Sequence, residues 1–206
     1  SARFLLVQRG PGGAASLART LHLEYPDVTA CVVTLPDDHP RAVECVVDEL
    51  AAADGFMEAR YDAEGRRFEP VLALSEPTTS REPLVLGPED LLLVTGGGKG
   101  IAAECALALA RAGGPRLLIL GRSSPASDPE LAENLARMSR AGLTVRYEMA
   151  DVTDRAAVAA ALAGAVRELG PVTAVLHGAG VNVPGLLETL EVDDFRRTLA
   201  PKLDGA

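Results

Sequence analysis

The chain has 206 residues, 48 % of them hydrophobic, and its 20 Lys and Arg against 29 Asp and Glu give a net charge of −9. That length holds one large domain or two small ones, with enough apolar residues for a real core. The acidic balance and the 3 % aromatic content disfavour nucleic acid or an anionic membrane surface as the main partner, because both reward clustered cations or stacking rings.

Strand-like and helix-like patterns alternate from the start. Phe4–Val7 is a short apolar run. Ala14–Leu23 sets Leu17 and Leu21 four apart, as one helix face requires. Between them "RGPGGAAS", Arg9 to Ser16, is glycine-rich, but its proline and its spacing make it a plain loop rather than a phosphate cradle. Val28–Leu35 is β-branched and reads as a buried strand. Arg41–Ala53 follows as a helix, with Asp38 as its cap and Pro40 in its first turn. "FMEARYDAEGRRFEPVLAL" reads as a hairpin turning at Ala63-Glu64-Gly65. Ser75–Asp90 is rich in Pro, Ser and Thr without period and reads as a linker.

Beyond it the alternation is cleaner. Strands are predicted at Leu91–Thr95, Arg116–Leu120, Leu143–Met149 and Val172–His177. Helices are predicted at Ile101–Gly113, Asp128–Gly142, Arg155–Leu169 and Val192–Leu203. Strand–helix units of this length demand parallel strands joined by right-handed crossovers, hence a doubly wound α/β sheet. No apolar run nears the roughly 18 residues of a membrane span. The chain opens on Ser1 with no signal peptide and reads as an excised segment of a cytoplasmic protein. Cys31, Cys45 and Cys105 are odd in number and widely spaced. They read as buried thiols of a reducing compartment, not as a disulfide frame or a metal site.

"LLLVTGGGKGIAAECALALARAGG", Leu91 to Gly114, carries the chemistry. A strand that runs into a glycine-rich turn opening a helix is the geometry for a pyrophosphate. Glycine allows the tight turn and close backbone approach, and the helix amino terminus offers unpaired N–H groups. The G-x-G-x-x-G fingerprint fails here, since Gly96 and Gly98 would put the third glycine on Ile101. T-G-x-x-x-G-x-A fits, through Thr95, Gly96, Gly100 and Ala102. A tight turn with no ligand is the competing reading.

That spacing resembles the cofactor turn of the short-chain dehydrogenase/reductase family. "LILGRSS" with Gly121, Arg122 and Ser123, "ADVTD" with Asp151 and Val152, and "VLHGAG" with His177, Gly178, Ala179 and Gly180 agree in order. Within that family the set is most similar to the ketoreductase domain of type I polyketide synthases, as is "LAPKLDGA" with Lys202. "GGGKGI" and "HGAGVNVP" lean toward the iterative enediyne or polyunsaturated fatty acid type. The resemblance implies a structural subdomain over residues 1–86. Over 87–206 it implies the amino-terminal half of an NADP-binding subdomain with an incomplete Rossmann-like sheet. It implies NADPH as cofactor, and an acyl carrier protein with its tethered β-ketoacyl chain and neighbouring synthase domains as partners.

Each residue is also read on its own. NAD-binding chains usually place an acid at the second strand's end. Here stand Gly121 and Arg122, and a guanidinium suits a 2′-phosphate. Lys99 would add a second positive contact. Alternatively Arg122 is a solvated loop arginine. Asp151 either lies near the adenine amino group, as the resemblance implies, or caps a helix, for which Asp154 is the better candidate. His177 reads as cofactor-lining rather than proton-transferring. In the family a lysine like Lys202 lowers the pKa of a tyrosine that protonates the carbonyl oxygen, with a serine holding that oxygen. Without the resemblance, Lys202 is an exposed lysine near a helix carboxyl end.

The family's serine and tyrosine are expected beyond Lys202. Tyr25, Tyr61 and Tyr147 all precede it and occupy no matching position. The polypeptide as given is therefore expected to be inactive alone. Val181-Asn182-Val183-Pro184 stands where many ketoreductases carry a Leu-Asp-Asp pattern, which leaves product configuration open. Two alternatives to β-ketoacyl reduction remain: an inactive ketoreductase scaffold, and a reductase of a free small molecule.

Overall fold

The computed structural model describes residues 2–10, 13–75 and 86–206. Residues 11 and 12 of the Arg9–Ser16 loop and 76–85 of the expected linker lie outside the described residues. The chain divides into two compact units, one drawn from Ser1–Thr79 with Gly185–Leu190, the other from Ser80–Pro184 with Glu191–Ala206.

The first unit runs β1 (Arg3–Arg9), α1 (Ala15–Glu24), β2 (Thr29–Leu35), α2 (Ala42–Ala52), β3 (Phe56–Tyr61) and β4 (Arg67–Phe68). The strands lie in the order β1-β2-β3-β4, the first three parallel and β4 antiparallel to β3. β2 is central, and its β-branched run is buried nearly throughout. Cys31, Val33 and Leu35 on one face of β2 pack with Cys45 of α2, Ala53 and partly buried Leu5, Val46 and Leu50. The turn at Gly65 forms because Asp62 accepts the N–H groups of Glu64 and Arg66 at 3.0 and 2.8 Å. The second arm is shorter than expected, only two residues. Asp38 does not cap α2; Arg41 takes that position, with no side-chain cap bond. Glu49 of α2 is only 4 % exposed. It accepts from Arg67 Nη2 at 3.0 Å and from the Tyr61 hydroxyl at 2.5 Å.

The second unit runs β5 (Leu91–Thr95), α3 (Gly100–Gly113), β6 (Arg116–Gly121), α4 (Pro129–Arg140), β7 (Val145–Met149), α5 (Arg155–Leu169), β8 (Ala174–His177) and α6 (Val192–Leu203). All pairings are parallel and the order is β7-β6-β5-β8. Alternation along the strands sends side chains to two cores. Leu92, Val94, Leu117 and Ile119 meet Ala103, Ala106, Leu107 and Ala110 of α3 and Met138 of α4. Leu91, Leu93, Leu118 and Leu120 meet Ala165 and Leu169 of α5. The alanines of α3 let it lie close to the sheet. Helices therefore cover both faces, which is the doubly wound arrangement the alternation predicts. Of the three thiols, Cys31 and Cys45 are buried, but Cys105 is exposed on α3, against the expectation that all three are buried. Among the described residues no helix is long and apolar enough to cross a membrane.

Candidate functional site

The first strand of the second unit, β5, has β6 on one side and β8 on the other, so the connections leaving their carboxyl ends diverge. A crevice at such a switch point is where open α/β sheets bind ligands. Here it is a cavity of about 480 Å³.

Two glycine turns form its floor. Gly96 has φ +67°, and a Cβ on it would lie 2.8 Å from the backbone of Gly178 and Ala179. A Cβ on Gly178 would lie 2.6 Å from the Ala102 Cβ and 3.0 Å from the Thr95 carbonyl. The turns after β5 and β8 thus meet backbone to backbone, with α3 close behind. α3 begins at Gly100 with no side-chain cap from Lys99, and its first N–H groups, like those of any helix, lack helical partners, which favours negative charge there.

α4 closes one side. Asp128 caps it by accepting from Leu131 N at 3.1 Å, and takes the Lys99 ammonium at 2.7 Å. The lysine first, then the Leu131 N–H, holds the Asp128 carboxyl below its usual range. Lys99 thus lines the cavity as one half of an ion pair with Asp128. The Gly100 N–H donates to Glu130 Oε1 at 3.2 Å, and Asn134 Nδ2 donates to the Gly98 carbonyl at 3.0 Å.

Arg122 and Asp151 stand at the ends of β6 and β7, their closest atoms 3.8 Å apart. Asp151 Oδ1 accepts the Thr153 N–H at 2.9 Å and the Thr153 hydroxyl at 2.8 Å. These bonds, the N–H first, lower its pKa. Capping of α5 falls to Asp154, which accepts from Ala156 N and Ala157 N. Of the two readings of "DVTD", Asp151 is left on the cavity wall.

At the other end, His177 Nε2 lies 3.0 Å from the Pro201 carbonyl and Nδ1 lies 2.8 Å from Thr95 Oγ1. A carbonyl only accepts, so Nε2 carries a proton, and in the neutral ring Nδ1 accepts from the Thr95 hydroxyl. Thr95 Oγ1 in turn accepts the Ala179 N–H at 3.3 Å. The relay ties β5, the turn after β8 and α6 together.

Twelve of the sixteen residues singled out from the sequence line the cavity: Gly96, Gly98, Lys99, Gly100, Gly121, Arg122, Ser123, Asp151, Val152, Gly178, Ala179 and Gly180. Thr95 and His177 sit behind this wall, joined to each other. Ile101 is 84 % exposed and borders a separate hollow with Glu104 and Cys105. Lys202 is exposed, and its Cε lies 3.3 Å from where a Cβ on Gly180 would be. Leu120, Glu130, Leu131, Tyr147, Ala150, Val181 and Pro201 also line the cavity. Sequence reading missed them. Only Tyr147 had a signal, as the one aromatic among the four strands of this sheet, on β7, one strand removed from the glycine strand.

A parallel sheet with two glycine turns meeting at its switch point is the arrangement of Rossmann-like α/β proteins. The sequence profile of the family described as KR domain matches residues 91–206, and the chain belongs to that family, whose members are nicotinamide-dependent ketoreductases of the short-chain dehydrogenase/reductase type. Polyketide synthase GfsE of Streptomyces halstedii is 37 % identical over 215 residues, covering 99 % of this chain. Erythronolide synthase EryA3 of Saccharopolyspora erythraea is 32 % identical over 204 residues, covering 97 %. The chain spans only 5 % and 6 % of these relatives. Among solved structures, the first ketoreductase of the tylosin polyketide synthase superposes with a TM-score of 0.78 at 27 % identity, over 100 % of this chain and 46 % of that one.

Proposed function

We propose that residues 1–86 are a structural subdomain and 87–206 the amino-terminal half of an NADPH-binding subdomain. The protein they belong to reduces the β-carbonyl of an acyl chain tethered to an acyl carrier protein, within a larger cytoplasmic synthase. The observation that carries this reading is the contact of the Gly96 and Gly178 turns at the switch point, a cradle that side chains would fill.

The residues present fit the dinucleotide. Gly96, Gly98 and the first N–H groups of α3 would hold the diphosphate, Gly178–Gly180 would line a ribose, and Asp151 would serve the adenine. With Lys99 paired to Asp128, Arg122, whose side chain is 59 % exposed and only loosely opposed by Asp151, would hold the 2′-phosphate. The bound cofactor supplies hydride to the β-carbon. Lys202 supplies the positive charge that lowers the pKa of a proton-donating phenol. Tyr147 is not that phenol: its hydroxyl donates to the Ser123 carbonyl at 2.6 Å, and burial pushes its pKa up rather than down.

Fluorescence titration of the intact protein with NADPH and NADH tests the cofactor. NADPH is expected to bind more tightly, and Arg122→Ala to weaken NADPH about tenfold while leaving NADH unchanged. Equal binding of both dinucleotides by the unaltered protein would refute the 2′-phosphate assignment. Reduction of carrier-bound β-ketoacyl thioesters is the expected activity, and turnover of free ketones alone would point to the small-molecule alternative.

A further inference from the structure

Tyr147 is at the centre of β7, in register with Ile119 of β6, and its ring packs against the core under α3 and α4. The same side chain reaches three parts of the candidate cofactor site. Its Cε2 is 3.7 Å from where a Cβ on Gly98 would lie. Its hydroxyl donates to the Ser123 carbonyl at 2.6 Å, in the loop that carries Arg122. That hydroxyl is also 2.7 Å from where a Cβ on Gly121 would lie, with Cε2 and Cζ at 3.4 and 3.5 Å.

Gly121 is not among the glycines with positive φ, so the backbone there does not require glycine. The requirement is space, and Tyr147 imposes it. Residue 121 ends β6, the position where dinucleotide-binding units that hold an unphosphorylated ribose place an acid. An acid at 121 would have to displace a phenol that is packed on one side and hydrogen-bonded on the other.

We infer that Tyr147 is a positioning residue that sets cofactor choice from the neighbouring strand. It keeps the end of β6 free of a side chain, and by holding the Ser123 carbonyl it fixes the loop that presents Arg122 to the 2′-phosphate. This rests on the NADPH reading of the cavity. Loss of packing alone would weaken both dinucleotides alike. Loss of this role changes the ratio between them.

The test uses the intact protein and fluorescence titration with NADPH and NADH, with thermal unfolding as the check on folding. Tyr147→Phe keeps the ring and removes the hydroxyl. It is expected to weaken NADPH roughly three- to tenfold, as one hydrogen bond allows, with NADH unchanged. Gly121→Asp alone is expected to gain no NADH affinity, whereas Gly121→Asp with Tyr147→Val gains it. An unchanged ratio in Tyr147→Phe, or an NADH gain in Gly121→Asp as large as in the double variant, overturns the inference while the NADPH reading stands. Binding of neither dinucleotide by the unaltered protein overturns both.

Discussion

At the scale of single residues, the cavity joins charges that compete with the ligand and charges that serve it. Glu130 is the clearest competitor. Its carboxylate accepts from Gly100 N–H at the amino end of α3, where an acid is favourable by about 0.3–1 kcal/mol and where the proposed diphosphate would sit. Glu130→Gln is therefore expected to tighten NADPH binding a few-fold while lowering the thermal midpoint slightly. Calorimetric titration checks the first effect and a melting curve the second; weaker binding in the variant would contradict it. Lys99 shows the opposite case. A lysine beside three glycines invites a phosphate assignment, yet Asp128 holds it at 2.7 Å. That pairing was invisible in the sequence because 29 residues separate the partners.

At the scale of elements, hydrophobic period and turn chemistry made most of the fold legible. α5 and α6 fall where apolar spacing placed them, and β5 is the apolar run before the glycines. What local pattern decides was readable. What distant packing decides was not. β4 is two residues long because little covers the residues after it: Val71, Leu72 and Leu74 are 81 %, 107 % and 105 % exposed. Asp38 looked like a cap, but the cap position of α2 falls three residues later, on Arg41. In the site, the glycine turns were legible because their chemistry is local. Tyr147, Leu131 and Pro201 reach the cavity only through strand order and helix crossing. Where a cap was correctly read, its worth can be measured. Asp154→Ala removes two accepted N–H bonds from the start of α5. It is expected to cost about 1 kcal/mol by urea unfolding, and an unchanged midpoint would show that water replaces the cap without loss.

At the scale of the whole molecule, the two units have separate cores, and Glu49, the one buried acid among the described residues of the first, belongs to that unit's own hydrogen bonds. The Arg67 guanidinium, and then the Tyr61 hydroxyl, hold the Glu49 carboxyl below its ordinary range against the cost of burial. A carboxyl whose folded pKa is depressed adds stability above its unfolded pKa of about 4.3 and loses it as pH falls through the folded value. Glu49→Gln is thus expected to cost about 2 kcal/mol at pH 7, with the gap to the unaltered protein closing at acid pH below about 4. Amide exchange should quicken in β2, β3 and α2 and stay unchanged in β5 to β8. A uniform change across both units would contradict separate cores. The relay through Thr95, His177 and Pro201 has its own consequence for anyone recombining such domains. These three positions, far apart along the chain, are joined by two hydrogen bonds. A chimaera whose crossover falls between 95 and 201 is expected to keep this tie only when the segment from one parent brings a hydroxyl, imidazole or carbonyl that meets its counterpart from the other.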